Sequence, residues 1–171
     1  MAHAFLPRST KGYCAVTIGY RGCSGSSGAP EELTLTEDVI AKVILETARP
    51  LVLYGESLGT AMALRVAADD IGDAIVLEAP FTSFLDILAA QYPLENLGDL
   101  CGPTLGQPPY ARGIRLPLRI IHGEIGKIVP IVLGCEFFAA PGSAEKQFLE
   151  IASEGHRTLW TPGLQSTLYG F

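Results

Sequence analysis

The residues best suited to chemistry form a Gly-Glu-Ser-Leu-Gly segment at residues 55–59. It follows a short apolar run, residues 51–54, and precedes a segment rich in alanine and leucine, so we predict a buried strand, a turn and a helix. In this context the G-x-S-x-G pattern is typical of a nucleophile elbow, whose sharp turn holds the serine in strained backbone geometry. Ser57 is therefore the candidate nucleophile, and the N–H of Leu58 is the candidate oxyanion donor. The alternative is a glycine-rich turn that happens to contain a serine.

Three histidines are candidates for the base that a serine nucleophile needs. His156 follows the last predicted strand on a Glu-Gly-His loop and comes after Ser57 in the chain, as in the Ser…Asp/Glu…His order of nucleophile-elbow enzymes. We predict His156 as the base, and the alternative is a solvent-exposed loop histidine. His122 ends a buried strand and is interpreted as a structural histidine with satisfied hydrogen bonds. His3 is expected to lie in a frayed terminus without a role.

Short apolar runs and helix-like segments alternate along the chain. The predicted strands are residues 13–18, 51–54, 74–77, 118–121 and 147–151. The predicted helices are residues 36–48, a segment after residues 55–59 that ends near residues 69–72, residues 81–91 and 130–140, and a short helix after His156. This alternation predicts an α/β fold with a mostly parallel sheet of about five strands and helices on both faces, in a single domain over residues 1–171. Residues 92–117 show no periodicity that indicates an element.

Local signals place the start of two of these helices. Thr34 and Glu37 have the spacing of a capping box, which predicts that the first helix begins close to them. Pro130 fits the first position of the helix over 130–140, where proline is favoured.

Composition limits the class of protein. The chain has 171 residues, 48% of them hydrophobic and 18% charged, with a net charge of −6, which is typical of a folded domain rather than a disordered chain. Its 12 basic residues are scattered, so no nucleic-acid-binding surface is expected. No apolar run approaches the ~18 residues of a membrane span, and the first residues do not resemble a signal peptide.

The use of cysteine predicts a cytoplasmic location. The chain contains four, far apart and without a C-x-x-C pair: Cys14, Cys23, Cys101 and Cys135. They are interpreted as reduced, mostly buried thiols, and a disulfide or a metal site is the alternative.

Residues 12 to about 160 resemble the α/β-hydrolase superfamily, and within it the lid-poor, depalmitoylase-like and monoglyceride-lipase-like branch of serine hydrolases. The matching segments occur in the family's order: residues 20–28, 53–60, 77–83, 121–124 with 128–130, and 155–156. The resemblance implies cleavage of an ester, thioester or amide through an acyl-serine intermediate. It implies a small acyl-ester, thioester or lipid-like substrate, and neither a metal nor an organic cofactor.

The resemblance also implies a role for each candidate residue. His156 takes the proton of Ser57, Ser57 attacks the carbonyl carbon, and the Leu58 N–H helps to hold the oxyanion. His156 then protonates the leaving group and activates water.

The acid of the family's catalytic triad is missing from its usual position. The family places an aspartate after the His-Gly strand, and alignment on residues 122–123 and 129–130 puts Gly126 there. Loss of the acid in a well-studied triad lowers kcat by roughly 10⁴. Glu124 and Glu78 are candidate substitutes, and the alternative is that both are non-catalytic.

The first strands of the family's sheet are also missing. Nothing in residues 1–11 resembles them, and one of them normally supplies the second oxyanion donor, whose loss lowers the rate roughly 10²–10³-fold. That strand normally lies between residues 13–18 and 51–54. Either these two strands pair directly, or another chain fills the gap by self-association, or folding is incomplete. The chain is accordingly interpreted as an N-terminally truncated domain.

Two hypotheses follow. The first is a serine hydrolase, favoured by the elbow and by His156. The second is a catalytically impaired or inactive fragment that serves as a binding module or has no function, favoured by Gly126 and by the missing strands.

Overall fold

The computed structural model describes residues 3–6, 15–23, 25–29, 32–44, 50–92 and 111–159. The chain divides into two compact units, Met1–Glu46 and Thr47–Phe171. The single domain over residues 1–171 therefore stays a prediction, and each unit is described by itself.

The first unit contains a strand that the sequence analysis did not predict. Strand β1 (His3–Leu6) pairs in antiparallel register with β2 (Ala15–Ile18). The expectation of a frayed terminus at His3 is therefore wrong. Strand β2 pairs with β1 in the two-stranded sheet of this unit.

A helix, α1 (Glu32–Ile44), completes this unit, with Leu35 and Val39 buried along one face. The Nη2 of Arg21, in the turn after β2, donates to Asp38 Oδ1 at 2.7 Å. This hydrogen bond, reinforced by the charge of the guanidinium, holds the pKa of Asp38 below its ordinary value. The capping-box prediction is wrong: Thr34 lies inside the helix, because the good helix formers Glu32 and Leu33 already belong to it.

The second unit confirms the α/β fold class. Its elements are β3 (Val52–Glu56), α2 (Leu58–Ala68), β4 (Ala74–Glu78), α3 (Phe84–Gln91), β5 (Leu118–Gly123), α4 (Ile131–Ala139) and β6 (Lys146–Ile151). The strands form a parallel sheet in the order β3-β4-β5-β6. Each of these elements overlaps a predicted one. Four of the five predicted strands are in this sheet, and the fifth is β2.

Helices α2 and α4 pack on the same face of the sheet. The register aligns Gly55 of β3 with Leu77 of β4, and Leu77 with Ile120 of β5, so these residues and His122 point to one side. A Cβ at Gly55 would lie 2.5 Å from the Gly59 carbonyl oxygen at the start of α2, and a Cβ at Gly134 of α4 would lie 2.5 Å from His122 Cδ2. Both helices therefore approach this face at glycines.

Leu159 packs on the opposite face of the sheet. Val76 and Ile121 form a buried cluster there with Leu159. The predicted short helix after His156 and most of the irregular segment 92–117 lie outside the described residues.

The prediction of mostly buried cysteines is wrong for the two that are described. Cys23 and Cys135 are free thiols, but both are exposed. Cys14 and Cys101 lie outside the described residues. Cys135 points outward because its neighbour Gly134 takes the position that faces His122.

The close approach of α4 to β5 gives a stability prediction. Gly134→Ala is expected to lower the free energy of unfolding by about 1–3 kcal/mol, because the new Cβ would overlap His122. The overlap outweighs the helix propensity gained by alanine, about 1 kcal/mol. The His122 ring cannot move aside freely, since it stacks on Phe148 with ring centroids 6.3 Å apart.

Denaturant unfolding measures this change, with Gly155→Ala as the matched control. The nearest atom to a Cβ at Gly155 is 3.8 Å away, so its stability should change by less than about 0.5 kcal/mol. Equal stabilities for the two variants would contradict the packing described for α4.

Candidate active site

Ser57 has the strained backbone that a nucleophile elbow requires. It lies between β3 and α2 with φ 51° and ψ −115°, a conformation that non-glycine residues rarely adopt. Such a residue costs about 1–3 kcal/mol and persists only where its surroundings fix it. Here the Ser57 N–H donates to the Glu78 carbonyl at 2.9 Å, and the Thr60 N–H donates to the Ser57 carbonyl at 2.9 Å.

The hydroxyl of Ser57 is not used to cap the helix. Ser57 occupies the N-cap position of α2 but makes no side-chain capping hydrogen bond. The first N–H groups of a helix lack partners within the helix, and they favour negative charge. The Leu58 N–H is therefore placed where a developing oxyanion at Ser57 could accept a hydrogen bond from it.

The segment after β6 carries His156 back across the sheet toward β3. The Ile125 N–H, just beyond β5, donates to the Glu154 carbonyl at 3.0 Å. A Cβ at Gly123, the last residue of β5, would lie 2.4 Å from the same carbonyl oxygen. Leu159 then packs against Val76 of β4. His156 lies between these contacts, so the fold brings the predicted nucleophile and base to one edge of the sheet.

The ring of His156 is half-buried and lacks a partner at one nitrogen. Its Nδ1 is buried without a hydrogen-bond partner in the described part of the chain. Burial lowers the pKa of His156, the charge of Glu56 opposes that shift, and Arg157 adds to it. The hydrogen bonds of Ser57 among the described residues use its backbone, and none joins its hydroxyl to His156. Catalytic hydrogen bonds are often long before substrate binds.

The structure does not bring either candidate substitute acid to His156. Glu124 is exposed, and its Oε2 accepts a hydrogen bond from the Ser153 N–H at 2.8 Å. Glu78 is buried and accepts a hydrogen bond from the Tyr54 hydroxyl. Glu124 lies two residues before the position at which the family has its acid. Its carboxylate therefore points to the turn at Ser153 and not to His156.

Gly126 closes a tight loop rather than leaving an open space. Its N–H lies 3.4 Å from the Gly123 carbonyl oxygen. A Cβ added at Gly126 would lie 2.5 Å from the Val129 carbonyl oxygen and 3.6 Å from His122 Cε1. A side chain at this position therefore needs the loop to shift.

His122 is structural, but its hydrogen bonds are only half satisfied. It is 1% exposed, and Nδ1 donates to the Gly123 carbonyl at 3.1 Å. Nε2 is buried without a partner in the described part of the chain, because it faces Gly134, which has no polar side chain to offer. The expectation of a fully satisfied histidine is wrong. Burial lowers the pKa of His122, the Gly123 carbonyl opposes this, and the charge of His156 adds to it.

Glu56 is the residue that sequence reasoning missed. It ends β3 directly before Ser57, and its exposed carboxylate raises the pKa of His156. It occupies a position that the G-x-S-x-G pattern leaves unspecified. Only the return of the chain after β6 relates it to a histidine one hundred residues later.

Neither a metal-binding cluster nor a membrane-spanning helix occurs among the described residues. Among them, no group of three or more His, Cys, Asp or Glu side chains is arranged to hold a metal ion. No helix in the same ranges is both long and apolar enough to cross a membrane.

The sequence and the fold match a known family. Residues 2–166 match the model of the alpha/beta hydrolase family, and the chain belongs to this family. It is similar to human Protein ABHD12B, with 31% identity over 190 residues that cover 94% of this chain and 49% of the relative. It is also similar to Lysophosphatidylserine lipase ABHD12 of Macaca fascicularis, with 28% identity over 165 residues, 82% of this chain and 41% of the relative. The chain thus spans about half the length of the relatives it matches.

A solved structure with the same fold is the esterase domain of a Rhodothermus marinus protein. It has 22% sequence identity and a TM-score of 0.62, over 89% of this chain and 67% of that one.

The charge of Glu56 gives a prediction for His156. Glu56→Gln is expected to lower the pKa of His156 further, because it removes a negative charge that stabilises the imidazolium. An NMR titration of the imidazole ring measures the pKa directly.

Glu124→Gln is the matched control, since its carboxylate is bonded to the Ser153 N–H. We expect it to leave the titration of His156 unchanged. An unshifted His156 in Glu56→Gln, or equal shifts in both variants, would contradict the arrangement.

Proposed function

We propose that the chain is a serine hydrolase that cleaves a carboxylic ester, thioester or amide, with Ser57 as nucleophile and His156 as base. The observation that carries this proposal is the backbone of Ser57, held at φ 51° between a buried strand and a helix. Strain of this kind serves to present a side chain at a sharp turn, as the elbow of hydrolases does. Membership of the alpha/beta hydrolase family supports it.

The proposed reaction has two steps. His156 accepts the Ser57 hydroxyl proton while Oγ attacks the carbonyl carbon, and the Leu58 N–H donates to the oxyanion. The leaving group departs, and water then attacks the acyl-serine with His156 again as base. Burial lowers the pKa of His156, so the unprotonated imidazole that a base needs is favoured at neutral pH.

The relatives and the surface support a substrate with an acyl chain. The names of two comparison proteins refer to a lysophosphatidylserine lipase and an esterase domain. Leu58, directly after the nucleophile, is 42% exposed, and Ile125 and Ile128, on the loop after β5, are 57% and 40% exposed. Exposed apolar side chains at the edge of the sheet that carries the predicted nucleophile suit a small acyl ester, a thioester or a lipid-like ester. We place the reaction in the cytoplasm, as the cysteine usage predicts.

A second candidate function is a catalytically impaired domain that binds a ligand or another copy of the chain. The unpartnered Nδ1 of His156 favours it, because no described carboxylate accepts a hydrogen bond from this nitrogen. The two candidates differ in whether Ser57 reacts.

Reaction with a fluorophosphonate probe tests that difference. Labelling at Ser57 is expected, located by peptide mass spectrometry, and His156→Ala should slow it by about 10²-fold or more because the general base is lost. Ser57→Ala should abolish it. The matched control is Ser153→Ala, which removes another serine with positive φ, 61°, and should leave labelling intact. Absence of labelling that depends on Ser57 would overturn the proposed function.

An aspartate at position 126 tests the missing acid. Gly126→Asp is expected to raise esterase activity, by up to the roughly 10⁴-fold that a triad acid contributes. The same variant should be less stable, because its Cβ must displace the Val129 carbonyl. Esterase assay and denaturant unfolding are measured together. A folded variant with unchanged activity would show that Gly126 does not limit the site.

A further inference from the structure

Two buried imidazole nitrogens, His122 Nε2 and His156 Nδ1, lack a hydrogen-bond partner in the described part of the chain. Polar atoms that are buried without a partner cost free energy, so native proteins pair nearly all of them with protein groups or with ordered water. No other buried side-chain nitrogen or oxygen among the described residues is in this state. If the two nitrogens lie close together, one shared partner would satisfy both.

The two histidines meet where the segment after β6 crosses the end of β5. Their neighbours in the chain, Gly123 and Gly155, are in contact, since a Cβ at Gly123 would lie 3.0 Å from the Gly155 carbonyl oxygen. The rings also act on each other electrostatically, because the charge of His156 lowers the pKa of His122. The fold therefore brings the two imidazoles to the same end of the same strand.

The Nε2 of His122 is directed toward the region in which the family has its triad acid. The lone pair of this nitrogen lies in the ring plane, between Cδ2 and Cε1. A Cβ at Gly134 would lie 2.5 Å from Cδ2, and a Cβ at Gly126 would lie 3.6 Å from Cε1. The lone pair thus points between these two glycines, beside the position that aligns with the acid.

The two nitrogens have complementary hydrogen-bonding roles. The Nδ1 of His122 lies 3.1 Å from the Gly123 carbonyl oxygen, which can only accept, so Nδ1 carries the ring proton. Burial lowers the pKa of His122, which keeps the ring neutral and leaves Nε2 as an acceptor. A base that takes the Ser57 proton on its Nε2 carries its own proton on Nδ1, so the Nδ1 of His156 is a donor.

We propose, on the basis of the proposed function above, that His122 is the positioning residue of the base: one water accepts from His156 Nδ1–H and donates to His122 Nε2. The Val129 carbonyl oxygen, 2.5 Å from the Cβ position at Gly126, offers this water a third partner. Because His122 is held as an acceptor, it selects the tautomer of His156 whose Nε2 can take the Ser57 proton.

His122 replaces one part of what a triad acid does. The acid fixes the tautomer of the base and also stabilises the imidazolium, and a wrong tautomer alone lowers kcat roughly 10⁴-fold. A neutral imidazole can fix the tautomer, but its hydrogen bond to the imidazolium is weaker than that of a carboxylate, since charge-assisted bonds are about twice as strong. An aspartate at position 126 is therefore still expected to raise activity.

NMR on the full chain at neutral pH tests the tautomers, through correlations between the ring protons and the ring nitrogens. The chain has three histidines, so these signals are few. We expect His156 to carry its proton on Nδ1, although free histidine in water prefers the Nε2–H tautomer. His156 in the Nε2–H form would overturn the inference, and this measurement needs no variant.

His122→Phe tests the acceptor directly, because it keeps a ring that can stack on Phe148 but has no nitrogen. We expect His156 to change to the Nε2–H tautomer, and labelling of Ser57 by the fluorophosphonate to slow by about 10²-fold or more. The matched control is Phe148→Leu, which disturbs the same stacked pair, with ring centroids 6.3 Å apart, but leaves His122 Nε2 in place. It should keep the tautomer of His156 and the labelling rate of the unmodified chain.

Two results with these variants would also overturn the inference. One is an unchanged tautomer of His156 in folded His122→Phe, and the other is equal slowing of labelling in both variants, which would assign His122 a role in packing only. In either case labelling of Ser57 in the unmodified chain leaves the proposed function standing. If Ser57 is not labelled there, the proposed function fails, and His122 then positions no base.

Discussion

The turn at Ser57 is the constraint on which the rest of the site depends. A non-glycine residue at φ 51° is held because Gly55 lets the start of α2 come within contact of β3, and because the backbone of β4 binds the Ser57 N–H. The strand that carries the serine and the strand beside it are thus locked to each other at their carboxyl ends. The contacts in β3 and β4 that keep the serine strained are also contacts of the core. The turn at Ser57 therefore takes its strained conformation only when the sheet forms.

The base reaches this turn by a different route. His156 follows the strand at the far edge of the sheet, and its loop returns over the end of β5 before Leu159 anchors it against β4. The imidazole is therefore positioned by backbone contacts on either side of it and by burial. No carboxylate among the described residues fixes its orientation. Glu56, next to the serine, contributes charge at a distance, which affects protonation more than geometry.

The sequence predicted the parts of the molecule whose signals are local. Strands β3 to β6 are short apolar runs, and burial in a parallel sheet makes such runs recognisable. Ser57 and Leu58 were identified from a motif in its strand–helix context, and His156 from chain order, and their catalytic roles remain predictions. Strand β1 was missed because its four residues form a strand only by pairing with residues nine to fifteen positions later. Glu56, the half-satisfied hydrogen bonds of His122 and the commitment of Glu124 to Ser153 depend on how distant loops meet, which local patterns do not encode.

Ser57 and His156 are not held equally firmly, and this difference affects how the protein would lose activity. Ser57 is fixed between buried elements, whereas the contacts described for the loop of His156 are backbone hydrogen bonds near its start and the apolar cluster of Leu159. Segments held in this way open at a lower free energy than the strands beneath them. On warming, the loop is therefore released while the sheet is still intact. Reactivity would then fall before the circular dichroism of the protein changes, and it would return on cooling without any refolding of the sheet.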